Sequence, residues 1–319
     1  MKSFMRLAGL AVAIAAVMGS AAKADDKLTI AVIPKGTTHS YWKSVKAGAE
    51  QAGNELGVNI IYKGPLKEDD RAQQISVVEQ FVSDNVSGIV LAPLDEAALV
   101  RPVREATGKK IPVVIIDSAL KGTVGTDFVS FIATNNHLGG NMAGDQLAKI
   151  LGGKGKIVLL RYSEGSASTE EREAGFLESI KKNSDMTMLV DNRYGGATVS
   201  EAETASLNLL DQIKQADGIF CPNESSTMGM LLALRQNNLA GKVHFVGFDT
   251  SVPLIAALKA GEIDALVAQN PTKMGYLGVK TCVSAIRGEA VPQTIDSGVQ
   301  LITRDNLNDP DVQKLLAGG

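Results

Sequence analysis

The chain reads as an α/β protein made of two doubly wound parallel-sheet lobes. Three observations predict this. Strand-length apolar runs alternate with helix-periodic segments along nearly the whole length of 319 residues. The runs are almost continuous in Val, Ile and Leu, as strands buried on both faces of a helix-covered parallel sheet require. There are also ten of them, too many for one typical open sheet, in a chain about two ordinary domains long.

Taken in order, the chain starts with Lys2 and Arg6, the apolar run Leu7–Met18 and the small-x-small site Ala22-Lys23-Ala24. A basic head, a short apolar run and such a site form a secretory signal peptide. The run falls short of the roughly 20 residues that span a bilayer. Residues 1–24 are therefore expected to be removed, leaving a soluble exported protein. Strands follow at Leu28–Ile33, Val58–Tyr62, Gly88–Ala92, Val113–Ile116 and Phe128–Ala133, then at Lys156–Leu160, Met186–Val190, Gly218–Phe220, Val243–Phe248 and Ala265–Ala268. Between them, apolar positions recur at helical spacing, as in Val45, Ala49, Ala52 and Leu56, or Leu138, Met142, Leu147, Ile150 and Leu151. Gly57, Gly108 and Gly152-Gly153 stand where helix C-termini should fall. Asp95 suits an N-cap for a helix over Glu96–Ala106, and Glu170 and Glu171 suit a solvated first helical turn. No loose linker or low-complexity tract separates the halves.

Composition narrows the function. An apolar fraction of 45% supports packed cores. Loss of Lys2, Arg6 and Lys23 with the leader takes the net charge from −3 to −6. No Lys/Arg cluster remains that could neutralise a phosphate backbone, so no nucleic-acid partner is expected. Cys221 ends a strand and Cys282 lies within a helix; the count alone allows a disulfide, and two buried free thiols are the expectation. There is no G-x-S-x-G, no Walker loop and no H-E-x-x-H. His39, His137 and His244 show no ligand spacing, so neither metal nor cofactor is expected. Gly152–Lys156 follows a helix and precedes a strand, the wrong order for a phosphate loop, and reads as a turn.

In open α/β sheets, ligands bind outside the carboxyl ends of the strands. Those ends offer Lys35, His39, Tyr41 and Trp42, then Asp117 and Ser118, Asn223 and Glu224, Asp249, and Gln269 with Asn270. Hydrogen-bonding groups converging with aromatics suit a polyhydroxylated ligand. Taken singly, Asp117 or Asp249 also suits a helix cap, and Tyr41 or Trp42 a core position. Repetition at one edge is what distinguishes the set.

Carried by Ile30–Ile33 with His39–Trp42, Ile111–Ser118, Asn135–Gly140, Arg172–Phe176, Cys221–Glu224, Val246–Asp249 and Ala268–Pro271, the mature chain resembles the periplasmic sugar-binding proteins of the ribose-binding type. These are relatives of the ligand-binding core of lactose-repressor-like regulators. The resemblance implies the type I periplasmic binding fold, with a three-strand hinge crossed near Ala133–Asn135, Asn270–Thr272 and Ser297–Val299. Residues 25–133 plus 272–296 would form the N-terminal lobe, and residues 134–271 plus 297–319 the C-terminal lobe. It further implies that Tyr41 and Trp42 stack on a sugar ring. Asp117, Arg172, Asn223, Asp249 and Gln269 would bond its oxygens. Departures bear on the ligand: Ser118 stands where the ribose binder has an arginine, and Lys35 and His39 replace smaller or neutral residues. The face near Gly195–Ala197 lacks an aromatic unless Tyr194 swings in. A different pentose or hexose, a polyol or a sugar acid therefore fits as well as ribose. The implied role is the substrate-binding component of a sugar ABC importer, a monomer serving an inner-membrane permease, with a chemoreceptor as a further partner. Two alternatives are a sensor without uptake and a secreted enzyme using Asp117 and Asp249 as an acid–base pair. A repressor core is set aside, because an export leader occupies the place of its DNA-binding helices.

Overall fold

A computed structural model describes residues 27–317; the leader and its cleavage site lie outside them. In chain order the elements are β1 (Thr29–Ile33), α1 (Ser40–Leu56), β2 (Asn59–Tyr62), α2 (Arg71–Ser83), β3 (Gly88–Leu91), α3 (Val100–Gly108), β4 (Val113–Ile116) and β5 (Ser130–Ala133). Next come α4 (Asn136–Leu151), β6 (Lys154–Arg161), α5 (Ala167–Lys181), β7 (Asp185–Tyr194), α6 (Val199–Asn208), α7 (Leu210–Ile213), β8 (Gly218–Phe220) and α8 (Glu224–Gln236). The remainder is β9 (His244–Phe248), α9 (Val252–Ala260), β10 (Ala265–Ala268), α10 (Pro271–Ile286), β11 (Thr294–Asp296), β12 (Gln300–Thr303) and α11 (Pro310–Ala317).

The strands form two six-stranded sheets, ordered β11-β5-β4-β3-β1-β2 and β12-β10-β9-β8-β6-β7. Every pairing is parallel except that of β10 with β12. Each sheet changes direction at its first strand, the doubly wound pattern that leaves a crevice at the carboxyl ends. Alternation explains why the strands are apolar throughout. In the first sheet Ala31, Ile33, Ile89 and Leu91 face α2 and α3, whereas Ile30, Val32, Val90 and Val114 face α1 and α10. In the second, Val158, Leu160, Phe245 and Leu266 face α8 and α9, whereas Ile157, Leu159, Val246 and Val267 face α4 and α5. Cys282 lies in a core of the first lobe and Cys221 in a core of the second; both are free and buried.

The chain passes between the sheets after β5, after β10 and between β11 and β12. The last two strands are three and four residues long and half polar, and the apolar-run criterion passes over them. Gly57 and Gly152 end α1 and α4 in the left-handed conformation. Gly108 does not: α3 includes it, and Lys110 takes the positive φ of 62°. The expected start of that helix also moves. Asp95 Oδ1 accepts from the amides of Ala97 and Ala98, closing a turn, and the helix begins at Val100. Strand β6 starts at Lys154, so the glycine-rich turn shrinks to Gly152-Gly153.

Candidate functional site

The two sheets point their carboxyl ends at one another across a cleft of about 320 Å³, part of it open to solvent. Two aspartates face it from matching places. Asp117 follows β4 and Asp249 follows β9, with φ of 65° and 71°. Positive φ is uncommon outside glycine, and Asp tolerates it better than most residues. In both, the backbone amide is tied to the neighbouring strand, Asp117 to the Ile132 carbonyl at 3.0 Å and Asp249 to that of Val267 at 2.8 Å. The turn swings each carboxylate out of the sheet and into the cleft.

Around Asp117 the first lobe is tightly paired. Tyr41 Oη donates to Oδ1 at 2.7 Å, and Lys35 Nζ meets Oδ2 at 3.1 Å. Lys35 also donates across the cleft to Ser168 at 2.9 Å and Ser166 at 3.3 Å. Glu68 forms a second cluster, receiving Trp42 Nε1 at 2.7 Å, His39 Nδ1 at 2.5 Å and, from the other lobe, Tyr162 Oη at 2.9 Å. Burial disfavours charge on this pair, but the mutual attraction prevails. His39 is raised to about 9, and Glu68, further assisted by Lys35 and Trp42, is lowered to about 2.

On the second lobe, Arg172 is held by Asn136 Oδ1 at 2.9 Å and the Pro222 carbonyl at 3.0 Å, its guanidinium 4.0 Å from the Phe248 ring centroid. Asp249 Oδ1 accepts from Gln269 Nε2, and Oδ2 from the Glu224 amide, both at 2.8 Å. Burial pushes the Asp249 carboxyl up to about 6, with Arg172 pulling against it. Gln269 Oε1 is buried with no hydrogen-bond partner among the described residues, an acceptor open to a donor in the cleft. Asn223 both lines the cleft and caps α8, its Oδ1 accepting from Ser226.

Lys35, His39, Tyr41, Trp42, Asp117, Arg172, Asn223, Asp249 and Gln269 thus meet in one cavity. Ser118 does not line it; its Oγ accepts from the Ser168 amide at 3.1 Å and joins the lobes. Trp42 is at once a cavity wall and a member of the first-lobe core. Tyr194 does not swing in: it lies 46% exposed at the end of β7, in a different groove. The additional aromatic is Tyr162, one residue past β6. The strand-edge rule that found Asp117 reaches Tyr162 once β6 is given its full length. Glu68 carried no such signal, because it sits in the charged loop Lys67–Arg71, which reads as solvent-facing.

Two lobes closing over a polar, aromatic-walled cleft define a ligand-binding protein of the two-lobe periplasmic type. The periplasmic binding protein domain model matches residues 30–290, and the chain belongs to that family. It is 31% identical over 298 residues to the ribose import binding protein RbsB of Haemophilus influenzae, covering 92% of this chain and 97% of that one. A carbohydrate transporter solute-binding protein from Agrobacterium radiobacter, solved with D-arabinose, superposes with a TM-score of 0.87 at 34% identity, covering 92% of this chain and 99% of the other. One from Agrobacterium vitis with bound D-fucose also gives 0.87 at 34%, covering 90% and 99%.

Proposed function

We propose that this protein is the periplasmic substrate-binding component of a sugar ABC importer, and that it takes a monosaccharide or polyol between its lobes. The observation that carries this reading is the cleft itself: buried donors and acceptors from both sheet edges, walled by Tyr41, Trp42 and Tyr162. Hydroxyls need both donors and acceptors, while an aromatic face covers the C–H side of a sugar ring. The three relatives described above are named for, or were solved with, ribose, D-arabinose and D-fucose, and this supports the class. Charge argues against an anionic ligand: Lys35 and His39 are already matched by Asp117 and Glu68, Arg172 faces Asp249, and Glu224 adds a further carboxylate to the lining.

Trp42 and Tyr41 are assigned the ring, and Arg172, Asn223, Asp249 and Gln269 the hydroxyls. Asp117 is assigned whatever lone pairs Tyr41 and Lys35 leave free. Residues 25–133 plus 272–296 and residues 134–271 plus 297–319 then move as two bodies about the hinge, and the closed form is the one a permease reads. Both aspartates are held by fixed donors, which suits recognition rather than proton transfer. The test is a titration of the mature protein with pentoses, hexoses, alditols and sugar acids, following Trp42 fluorescence and melting temperature together. A ligand that shifts both is the expected result. Silence across the panel, or turnover of a bound sugar, defeats the reading.

A further inference from the structure

We propose that Glu224 is the latch of the cleft: a second-lobe carboxylate that caps a first-lobe helix only when the lobes are closed. The inference rests on the ligand-binding reading above and deepens it. The first amides of any α-helix lack intrahelical acceptors. At α1 the N-cap is His39, whose side chain makes no capping bond because it is committed to Glu68. Two of the orphan donors are satisfied from the other lobe instead. Ser40 N donates to Glu224 Oε1 at 3.3 Å and Tyr41 N to Oε2 at 3.0 Å, across more than 180 residues of sequence. A carboxylate at a helix N-terminus is favoured by the helix dipole as well as by the bonds.

The latch is joined to the site from behind. The Glu224 backbone amide donates to Asp249 Oδ2, so a carboxylate assigned to the ligand also fixes where the latch begins. Glu224 lines both the inner cavity and an outer hollow bounded by Ser40, Ser44, Thr250, Val252 and Leu316, as do Tyr41, Asp249 and Gln269. When the lobes part, both its bonds to α1 must go to water. The bond energy therefore enters the difference between closed and open states and does not depend on which hydroxyls the ligand carries. A bias on that difference scales the affinity of every ligand that needs closure by the same factor.

The experiment measures dissociation rates by stopped flow for the wild type, Glu224→Gln and Glu224→Ala. The probes are the tightest sugar of the panel and its deoxy and epimeric analogues. Release is expected to quicken by one common factor for all probes, roughly two- to thirtyfold for alanine by the worth of a helix cap, and less for glutamine. The ligand-free melting temperature should hold, since Glu224 is half-buried and its carboxylate bonds reach only across the cleft, to the amides of Ser40 and Tyr41. A loss confined to ligands carrying one particular hydroxyl would show that Glu224 reads the sugar, and unchanged rates would show no latch; either overturns the proposal. A wild type that binds nothing in the panel overturns the sugar reading instead, a separate and recognisable result.

Discussion

At the scale of the residue, the site is a set of mostly paired charges with a few valences left over. Arg172 and Asp249 face one another across the second-lobe wall, each fixed by neighbours other than the ligand. Replacing either with alanine removes a charged hydrogen-bonding group, worth about 1.5–3 kcal/mol, or roughly ten- to a hundredfold in affinity. Ligand-induced stabilisation should disappear at moderate sugar concentrations while the far-UV dichroism of the free protein is unchanged. Normal binding by both variants would show that the assignment of the second-lobe wall is wrong. The His39–Glu68 pair makes a pH prediction. His39 is raised from 6.5 to about 9, so its contribution to stability is complete below about 6.5 and is lost as pH climbs through about 9. Glu68 is lowered from 4.5 to about 2, so its share is present above about 4.5 and lost as pH falls through about 2. The melting temperature of the wild type should therefore drop more steeply between pH 6.5 and 9 than that of His39→Gln. Parallel curves would mean that the pair is not ionised as described.

At the scale of the element, two helix pairs are drawn together by glycine. A methyl group on Gly175 of α5 would lie 2.1 Å from the His137 carbonyl oxygen, and one on Gly140 of α4 would lie 2.0 Å from that of Arg172. The same holds for Gly48 of α1 and Gly275 of α10, at 1.9 and 2.0 Å from backbone oxygens. Backbone cannot yield as a flexible side chain can, so the helices must separate. Gly175→Ala should cost about 1–3 kcal/mol in a denaturant titration. It should also weaken ligand binding, because α5 carries Arg172. A stable variant with unaltered binding would show that α4 and α5 can part without consequence. Gly140 and Gly175 fall in segments that carry the family resemblance, but the close approach itself belongs to the pairing of two helices.

At the scale of the whole molecule, the described conformation is closed. Lys35 reaches Ser166 and Ser168, Tyr162 reaches Glu68, Arg71 reaches the Glu164 carbonyl, and Glu224 reaches α1, all between lobes. A ligand held there should stabilise the protein by about 2.7 kcal/mol at a hundred times its Kd, and it should compact the small-angle scattering profile as the lobes close. Identical scattering with and without a saturating ligand would argue against closure on binding. Much of this architecture was legible beforehand. Continuous Val/Ile/Leu runs gave the parallel strands, and the carboxyl ends of those strands gave Asp117, Asp249 and Gln269. What escaped lacked a local signature: β11 and β12 are too short and polar, and Glu68 sits in a charged loop.

The sequence by itself determined the two-lobe α/β class and the edge on which the polar residues collect, because burial on both faces and helical periodicity are written in neighbouring residues. Only the tertiary structure decided how those residues pair. Glu68 becomes a hub for His39, Trp42 and Tyr162, Ser118 becomes a tie between lobes, and Glu224 becomes the cap of a helix in the opposite lobe. These are contacts between segments far apart in the chain, created when two lobes meet. Periodicity reports which face of an element is buried, but not which distant group will be waiting there.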